Sequence, residues 1–355
     1  MAKELWKGNE AVAEAAIRAG CRFFFGYPIT PQNEIPEYMA MKMPQIGGCF
    51  LQAESEVAAI NMVYGAAGAG ARVMTSSSSP GISLKQEGIT YIAGSELPCV
   101  IVNMVRGGPG LGSIQPAQSD YFQACKGGGH GDYRLIVLAP ASVQEAVDLV
   151  QEAFDIADQY RNPVMILGDG MMGQMMEPVE FKEVKKRSLP EKTWATVGTK
   201  GKRKPNIINS LFIESADCEK HNIDLFNKYA EVEKNEVRVD TYNLEGAEIV
   251  FAAYGTTARI VKNAINSLAK EGIKAGLIRP ITLWPYPYKA IEEAAEKASV
   301  KAFMSVEMSM GQMVEDVKIG ANGKKPVYFY GRTGGMFPTP KAIAEEAKKI
   351  LGGAK

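Results

Sequence analysis

The chain has 355 residues, of which 46% are hydrophobic, 40 are basic and 40 are acidic, so its formal net charge is zero. That length and apolar content suffice for about two globular domains, each with its own core. The lack of a basic face argues against nucleic acid or an anionic membrane as a partner, and no apolar run approaches the roughly 20 residues of a membrane span.

The five cysteines and two histidines are scattered singly along the sequence. Isolated cysteines in odd number argue against a disulfide framework, a C-x-x-C zinc site or an iron–sulfur cluster in this chain. Neither histidine stands in a metal-binding spacing, so no metal ligands are predicted. The opening segment MAKELWKGNE lacks the apolar core and cleavage site of a signal peptide, so a cytoplasmic location is expected.

Strand-length apolar runs alternate with helix-period segments up to residue 170, which predicts a mainly parallel sheet flanked by helices. Asn9 is expected to cap the first helix. Thr30-Pro31 is a cap-then-proline signature and predicts a helix from residue 31 to about residue 43. The predicted strands, in chain order, are CRFFFGYP, FLQA, RVMT, CVIVNM, LIVLA and PVMILGD.

The segment FLQAESEVAAINMVYGAAGAGAR, residues 50–72, places two carboxylates where a strand runs into a helix of small residues. Acidic residues in the first turn of a helix favourably oppose the positive end of its dipole. This explanation covers both Glu54 and Glu56 and does not distinguish them.

Two glycine-rich stretches lack the order of phosphate-binding loops. RGGPGLGS, residues 106–113, is not in the G-x-G-x-x-G register, and the run after Lys126 lacks G-x-x-x-x-G-K-[ST], so nucleotide binding is not predicted. LGDGMMGQ begins like the Mg²⁺-diphosphate site of thiamine-diphosphate enzymes, but residues 195–204, where asparagine ligands would follow, contain neither Asn nor Asp. Asp169 is therefore interpreted as a polar strand-end residue that orients the connection.

After residue 178 the sequence becomes charged and is broken by proline and glycine, which indicates a connecting arm. Alternation restarts with EIVFAAYGTTARIVKNAINSLAKEG, which predicts a strand, a threonine cap and a helix. Three further predicted strands follow, and Thr339-Pro340 begins a last helix. The expected organisation is two doubly wound α/β domains joined by an arm: residues 1–177, the arm 178–245, and residues 246–355.

Four segments taken together resemble one family: YPITPQNE, AESEVAAINMVYGAAGAGA, SSSSPGISLKQEGITY and VEMSMGQM. They look like the alpha chain of the thiamine-diphosphate-dependent 2-oxoacid:ferredoxin oxidoreductases, and the likeness covers nearly the whole chain. Within that family, GGGHGDYRLIVLAPAS is most similar to the enzymes that use 3-methyl-2-oxobutanoate, the branched-chain 2-oxoacid ketoisovalerate. The resemblance implies a pyrimidine-binding domain followed by a transketolase C-terminal-like domain.

The resemblance also implies that the cofactor site and the electron-transfer centres are divided among several subunits. A beta subunit would hold the diphosphate half of thiamine diphosphate with its Mg²⁺, and iron–sulfur clusters would lie on partner chains, with separate gamma and ferredoxin-like delta subunits. The implied reaction is the oxidative decarboxylation of a 2-oxoacid with coenzyme A, which yields acyl-CoA, CO2 and reduced ferredoxin. Such an enzyme belongs to anaerobic metabolism.

Several residues receive roles from the resemblance. Glu56 would hydrogen-bond the aminopyrimidine ring of the cofactor and assist removal of the thiazolium C2 proton. Tyr27, Pro28 and Ile29 would contact the cofactor as part of the YPIT motif, and Thr30 would lie against the reacting 2-oxoacid. Glu54 keeps the role of a helix-start acid.

Arg106 ends an apolar strand before a glycine-rich loop. It is expected to clamp the substrate carboxylate with paired charge-assisted hydrogen bonds, and a structural salt bridge is the alternative. Glu307 and Gln312, in VEMSMGQM, are expected to stabilise a subunit interface. Further candidates for the mouth of the site are Ser76 to Ser79, Asn103 and Gln115.

Two alternatives stay open. Within the class, 2-oxoglutarate or pyruvate would be the substrate, because substrate length is set by loops that the sequence does not place. Outside the class, the chain would be a doubly wound protein that binds a small ligand, or a scaffold subunit without catalytic duty.

Overall fold

The computed structural model describes residues 3–182 and 187–353. Within the first range the strands are β1 (Glu4–Lys7), β2 (Phe23–Gly26), β3 (Cys49–Gln52), β4 (Val73–Ser77), β5 (Cys99–Val105), β6 (Ile136–Leu138), β7 (Pro163–Asp169) and β8 (Met176–Val179). The helices are α1 (Gly8–Arg18), α2 (Glu34–Lys42), α3 (Glu56–Gly68), α4 (Ser79–Gly94), α5 (Tyr121–Cys125), α6 (Val143–Tyr160) and α7 (Gly170–Gln174), with a 3₁₀ turn at Met43–Ile46.

The second range begins with an extended segment and a long helix. Its strands are β9 (Val239–Tyr242), β10 (Ile249–Ala252), β11 (Ala275–Pro280), β12 (Thr282–Trp284), β13 (Ala302–Glu307) and β14 (Val327–Gly331). Its helices are α8 (Ser215–Glu236), α9 (Gly255–Lys270), α10 (Tyr288–Ala295), α11 (Met313–Ala321) and α12 (Pro340–Gly352). Over both described ranges, no helix combines the length and the apolar character that crossing a membrane would need.

The first sheet has the strand order β12-β6-β7-β5-β4-β2-β3. Its strands run parallel except for β12, which pairs antiparallel with β6. Every residue of β5 and β7 is buried, as expected for central parallel strands that helices cover on both faces. The carboxyl ends of the parallel strands therefore meet at one edge of the sheet.

The second sheet has the order β14-β13-β10-β11-β9 and is parallel except for the β9–β11 pair. It has a hydrophobic cluster of its own, which α9 and α12 cover. The prediction of two doubly wound α/β units is confirmed, and each predicted strand is present. The boundaries of the domains stay a prediction, since β12 comes from the C-terminal part of the sequence and completes the first sheet.

The predicted arm contains a regular element that the sequence reading did not anticipate. Helix α8 spans 22 residues and buries a narrow stripe, Leu225, Tyr229, Val232 and Glu236. Because so few positions of α8 are apolar, the hydrophobic periodicity that would indicate a helix is weak in the sequence. Residues 183–186 of the arm lie outside the described part of the chain.

Three predicted helix starts are wrong, and tertiary contacts explain why. Helix α1 begins at Gly8, so Asn9 lies inside it; its buried side chain donates to the Pro31 carbonyl at 2.8 Å and to Glu34 Oε2 at 2.6 Å. Helix α2 begins at Glu34 rather than at residue 31. The Pro31 carbonyl, which a helix from residue 31 would use within its first turn, instead accepts hydrogen bonds from the side chains of Asn9 and Gln174. Helix α9 begins at Gly255, and its threonines face the first domain instead of capping the helix.

Candidate active site

The candidate residues collect at the carboxyl edge of the first sheet. From β2 the chain passes outward to β3 and returns to β4 on the other side of β2, so the direction of the connections reverses between β2 and β4. A crevice at such a reversal is where open α/β sheets usually bind ligands. The loop after β2 carries residues 27–30, the loop after β3 leads to Glu56, and the loop after β4 leads into α4.

Glu56 is the first residue of α3. The N-cap Ser55 accepts a hydrogen bond from the Ala58 N–H at 3.2 Å and so fixes the start of the helix. The Glu56 side chain is only 6% exposed, yet none of the described residues donates a hydrogen bond to its carboxylate. Glu54, in contrast, is exposed and precedes the N-cap. Since buried carboxylates normally have donors, Glu56 is suited to receive one from a ligand.

Gly81, in the first turn of α4, permits the close approach of this carboxylate. A Cβ atom at this position would overlap the Ser77 hydroxyl oxygen and lie 2.7 Å from Glu56 Oε1. The Ser77 hydroxyl is itself buried and has no hydrogen-bond partner among the residues that the structure describes. Two polar groups to which residues 3–182 and 187–353 supply no hydrogen bond therefore lie against the same glycine, which is the arrangement expected where a polar ligand completes the site.

Arg106, at the end of β5, ties the loops of this edge together. Its side chain is 8% exposed; Nη1 donates to the Thr30 carbonyl at 3.0 Å and Nη2 to the Leu111 carbonyl at 3.1 Å. Its backbone N–H donates to Ser79 Oγ at 3.1 Å. In the described residues the guanidinium contacts no carboxylate, so the structural salt bridge is wrong, and its Nε is buried without a partner.

Thr30 is exposed and does not cap a helix, which corrects the cap prediction. Its loop is instead held by the Arg106 contact and by Gln174 Nε2, which donates to the Pro31 carbonyl at 3.0 Å. Thr30 opens onto a cleft of about 490 Å³. The cleft is also lined by Gln115, Gly170 and Phe337, so the structure brings Thr30 and Gln115 together at one mouth.

Tyr27 and Ile29 are half-buried in the loop after β2, and Pro28 is exposed. Gln32 anchors this loop: its N–H donates to the Ile29 carbonyl at 3.1 Å, and its Oε1 accepts from the Ser76 hydroxyl at 2.5 Å. The sequence reading missed Gln32. Its only signal was a polar residue directly after the YPITP motif.

Asp169 serves as a strand-end residue. It caps α7, since its Oδ1 accepts hydrogen bonds from the N–H groups of Met171 at 2.9 Å and Met172 at 3.1 Å. Its Oδ2 accepts from the Thr256 hydroxyl at 2.5 Å, which links the first sheet to the start of α9. Burial raises the pKa of Asp169, and these donors oppose that rise. With these donors on its oxygens, Asp169 orients the connection between the two sheets, as predicted.

Glu307 is fully buried within the chain, so its predicted role at a subunit interface is wrong. Its carboxylate folds over the start of α11 and accepts hydrogen bonds from three backbone N–H groups and two serine hydroxyls. Gln312 instead joins the two sheets of the same chain: it accepts from the Phe122 N–H and donates to the Ser119 carbonyl, both at 2.8 Å.

The sequence patterns of two known protein families match the chain one after the other, almost from end to end. The description "Pyruvate flavodoxin/ferredoxin oxidoreductase, thiamine diP-bdg" matches residues 14–242, and "Pyruvate:ferredoxin oxidoreductase core domain II" matches residues 247–343. The chain belongs to the 2-oxoacid:ferredoxin oxidoreductase family. Its resemblance to the alpha chain is confirmed, and its first domain is the thiamine-diphosphate-binding domain of this family.

Curated relatives of this oxidoreductase family are similar over nearly their full length. The chain is 52% identical to the ketoisovalerate oxidoreductase subunit VorB of Methanothermobacter marburgensis, over 99% of both chains. It is 35% identical to the 2-oxoglutarate synthase subunit KorA of Methanocaldococcus jannaschii, over 97% of this chain and 98% of the relative.

Solved structures of the oxidoreductase family and of transketolase share the fold. The 2-oxoglutarate:ferredoxin oxidoreductase of Magnetococcus marinus, solved with 2-oxoglutarate, coenzyme A and succinyl-CoA, is 28% identical with a TM-score of 0.87. The match covers 98% of the present chain but spans 65% of that longer chain. A split-gene transketolase matches with a TM-score of 0.61 at 15% identity, which shows the fold alone.

The residues at the sheet edge fit the pyrimidine half of thiamine diphosphate. The buried Glu56 carboxylate lies over Gly81, beside the Ser77 hydroxyl; neither has a hydrogen-bond partner in the described part of the chain, and both can meet the polar groups of an aminopyrimidine ring. The chain does not supply a fitting site for the diphosphate half of the cofactor. The carboxylate of Asp169, in the GDG segment, already caps α7 and accepts a hydrogen bond from Thr256.

Proposed function

We propose that the chain is the alpha subunit of a cytoplasmic 2-oxoacid:ferredoxin oxidoreductase that acts on 3-methyl-2-oxobutanoate. With coenzyme A, the assembled enzyme would form acyl-CoA, CO2 and reduced ferredoxin. The observation that carries this proposal is the buried Glu56 carboxylate, which receives no hydrogen bond from the described residues and lies against Gly81 at the start of α4. The choice of substrate rests on relatives named for ketoisovalerate, which share more of the sequence than those named for 2-oxoglutarate.

Glu56 holds a proton between its carboxylate and the pyrimidine ring in this proposal. Thiamine diphosphate, when bound, supplies the electron sink for breaking the bond between the 2-oxoacid carbonyl carbon and its carboxylate. Tyr27, Pro28 and Ile29 lie in the loop after β2, at the same sheet edge as the loop that leads from the neighbouring β3 to Glu56. Their role is to exclude water and to fix the ring against the carboxylate.

Thr30 and Arg106 are proposed to receive the 2-oxoacid. The Arg106 guanidinium is already oriented by two backbone carbonyls, and its buried Nε is a donor without a partner. A substrate carboxylate near Thr30 would add a charge-assisted hydrogen bond to this guanidinium. Two of the five guanidinium N–H donors are engaged by backbone carbonyls, so the Nε–H and the second N–H of each terminal nitrogen are the donors left for a substrate carboxylate.

Partner subunits complete the proposed enzyme. A beta subunit would hold the diphosphate and Mg²⁺, while gamma and ferredoxin-like delta subunits would carry or contact the iron–sulfur clusters that pass electrons to ferredoxin. The incomplete cofactor site of the chain supports the beta subunit, since the GDG aspartate is engaged in capping and in the contact with α9. The gamma and delta subunits are proposed from the family resemblance.

Substrate preference tests the proposal. In a complex reconstituted from the chain and its partner chains, we expect kcat/KM for 3-methyl-2-oxobutanoate to exceed that for 2-oxoglutarate and pyruvate by at least about 10-fold, because a pocket shaped for a branched apolar group discriminates by about 1–3 kcal/mol per methylene. Coenzyme A-dependent reduction of ferredoxin is the measurement. A complex that prefers 2-oxoglutarate or pyruvate contradicts the substrate assignment.

A further inference from the structure

Lys85 is a fully buried lysine on the helix that faces Glu56, and no role has yet been assigned to it. It lies four residues after Gly81 in α4, so the two residues share one face of the helix. Helical side chains lean toward the N-terminal turn, which for Lys85 is the turn that contains Gly81. That is the turn against which the Glu56 carboxylate lies.

The ammonium of Lys85 is anchored on the sheet. Its Nζ donates to Thr75 Oγ1 at 2.9 Å, and Thr75 Oγ1 in turn donates to the Phe25 carbonyl at 2.6 Å. Thr75 and Ser77 are two residues apart on β4, so their side chains point to the same face of the sheet. The ammonium thus occupies the face that also presents the Ser77 hydroxyl to Glu56.

Close packing of α3 and α4 keeps these groups together. A Cβ atom on Gly88 would lie 2.5 Å from Ile60 Cγ2, so the two helices touch one turn beyond Lys85 and Glu56 as well. Lys85 makes one hydrogen bond among the described residues, to Thr75, and no ion pair within 4.0 Å. Its charge therefore acts on Glu56 through space across a buried region, where water screens it weakly.

Burial and the charge of Glu56 both affect the pKa of Lys85. Burial lowers the pKa of Lys85 to about 8, and the negative charge of Glu56 opposes that shift. The other elements packed around the ammonium contribute neutral groups, the Thr75 hydroxyl of β4 and the Phe25 carbonyl of β2. Glu56 is the charged group that acts on Lys85 within the part of the chain that the structure describes.

We propose that Lys85 is a positioning residue for Glu56: its buried ammonium, anchored on Thr75 beside the turn that contains Gly81, holds the carboxylate in the orientation that meets the cofactor. This inference rests on the proposed function, because it assumes that Glu56 meets the pyrimidine ring. A lysine within the buried row of a helix otherwise lowers stability, since its desolvation is compensated by a single neutral hydrogen bond.

A double-mutant cycle in the assembled complex tests the proposal. The variants are Lys85→Met, Glu56→Gln and the pair, and the measurement is equilibrium binding of thiamine diphosphate with Mg²⁺ at one fixed pH. Met matches the length of the lysine stem without its charge, and Gln matches the shape of Glu. Glu87→Gln, which removes an exposed charge from the same helix, is the control. Thermal unfolding and size-exclusion chromatography establish that each variant folds and assembles.

In Lys85→Met we expect the Kd for thiamine diphosphate to rise by about 10-fold, because groups that act on one another through a shared buried site lose that coupling when one of them is removed. In the Glu56→Gln background, adding Lys85→Met should change the Kd by less than about twofold. An unchanged Kd in Lys85→Met, or the same change in both backgrounds, overturns the proposal. If Glu56→Gln keeps the affinity of the parent, the role of Glu56 itself is wrong, and the Lys85 proposal falls with it.

Discussion

Glu56→Ala is expected to lower coenzyme A-dependent ferredoxin reduction by the reconstituted complex at least about 100-fold. Loss of a positioned acid–base group costs about 10²- to 10⁴-fold. Glu56 is the buried carboxylate of the sheet edge without a donor from the described chain, so no neighbour is placed to replace it. The measurement is the initial rate of ferredoxin reduction at saturating thiamine diphosphate and Mg²⁺.

Glu54→Ala is the matched control for this prediction. Glu54 is exposed and lies two residues earlier, outside the helix, so its removal should change the rate by about twofold or less. Assembly of the Glu56→Ala complex, followed by size-exclusion chromatography, separates loss of chemistry from misfolding. A fully active, assembled Glu56→Ala complex would mean that the catalytic assignment is wrong.

Gly81→Ala is expected to weaken thiamine diphosphate binding by about 10- to 100-fold while the chain still folds. The added methyl group would overlap the Ser77 hydroxyl and crowd Glu56 Oε1, and both atoms are side-chain ends that can move aside. Overpacking of this kind costs about 1–3 kcal/mol, and a displaced carboxylate loses its alignment with the ring. Equilibrium titration of the assembled complex with the cofactor is the measurement.

Gly65→Ala provides the comparison, because Gly65 is an exposed helical glycine in α3 and a Cβ there meets no atom within 4 Å. This change should leave cofactor binding unaltered and raise the free energy of unfolding by up to about 1 kcal/mol, since alanine is the better helix former. Parent-like cofactor affinity in Gly81→Ala would show that the carboxylate does not need its present position.

The sequence predicted the sheet strands and the placement of Glu56 well, for a physical reason. Buried parallel strands are continuous apolar runs, and β5 and β7 have no polar alternation that would obscure them. Glu56 was separable from Glu54 only through the family resemblance, because the helix dipole favours both. The structure adds the physical difference: Glu56 is buried and none of the described residues donates to its carboxylate, whereas Glu54 is exposed.

Features that depend on distant contacts were not predictable. Asn9 and Thr30 carry strong local capping signals, yet the Pro31 carbonyl, directly after Thr30, accepts hydrogen bonds from the Asn9 and Gln174 side chains. Local capping preferences are worth about 1 kcal/mol, so tertiary hydrogen bonds override them. The roles of Gly81 and Lys85 depend on α3, which packs beside α4, so neither can be read from α4 alone. The signal for Lys85 in the sequence was the position of a lysine on the apolar row of α4, among Ile82, Ile89 and Ile92.

The central claim is that this chain holds only the pyrimidine half of a thiamine diphosphate site that a partner chain completes. Isothermal titration calorimetry with thiamine diphosphate and Mg²⁺ tests it directly, on the isolated chain and on its complex with a partner carrying a complete GDG-and-asparagine site. We predict tight binding by the complex, lost in Glu56→Ala, and weak binding by the chain alone. Binding by the isolated chain with the affinity of the complex would contradict the account.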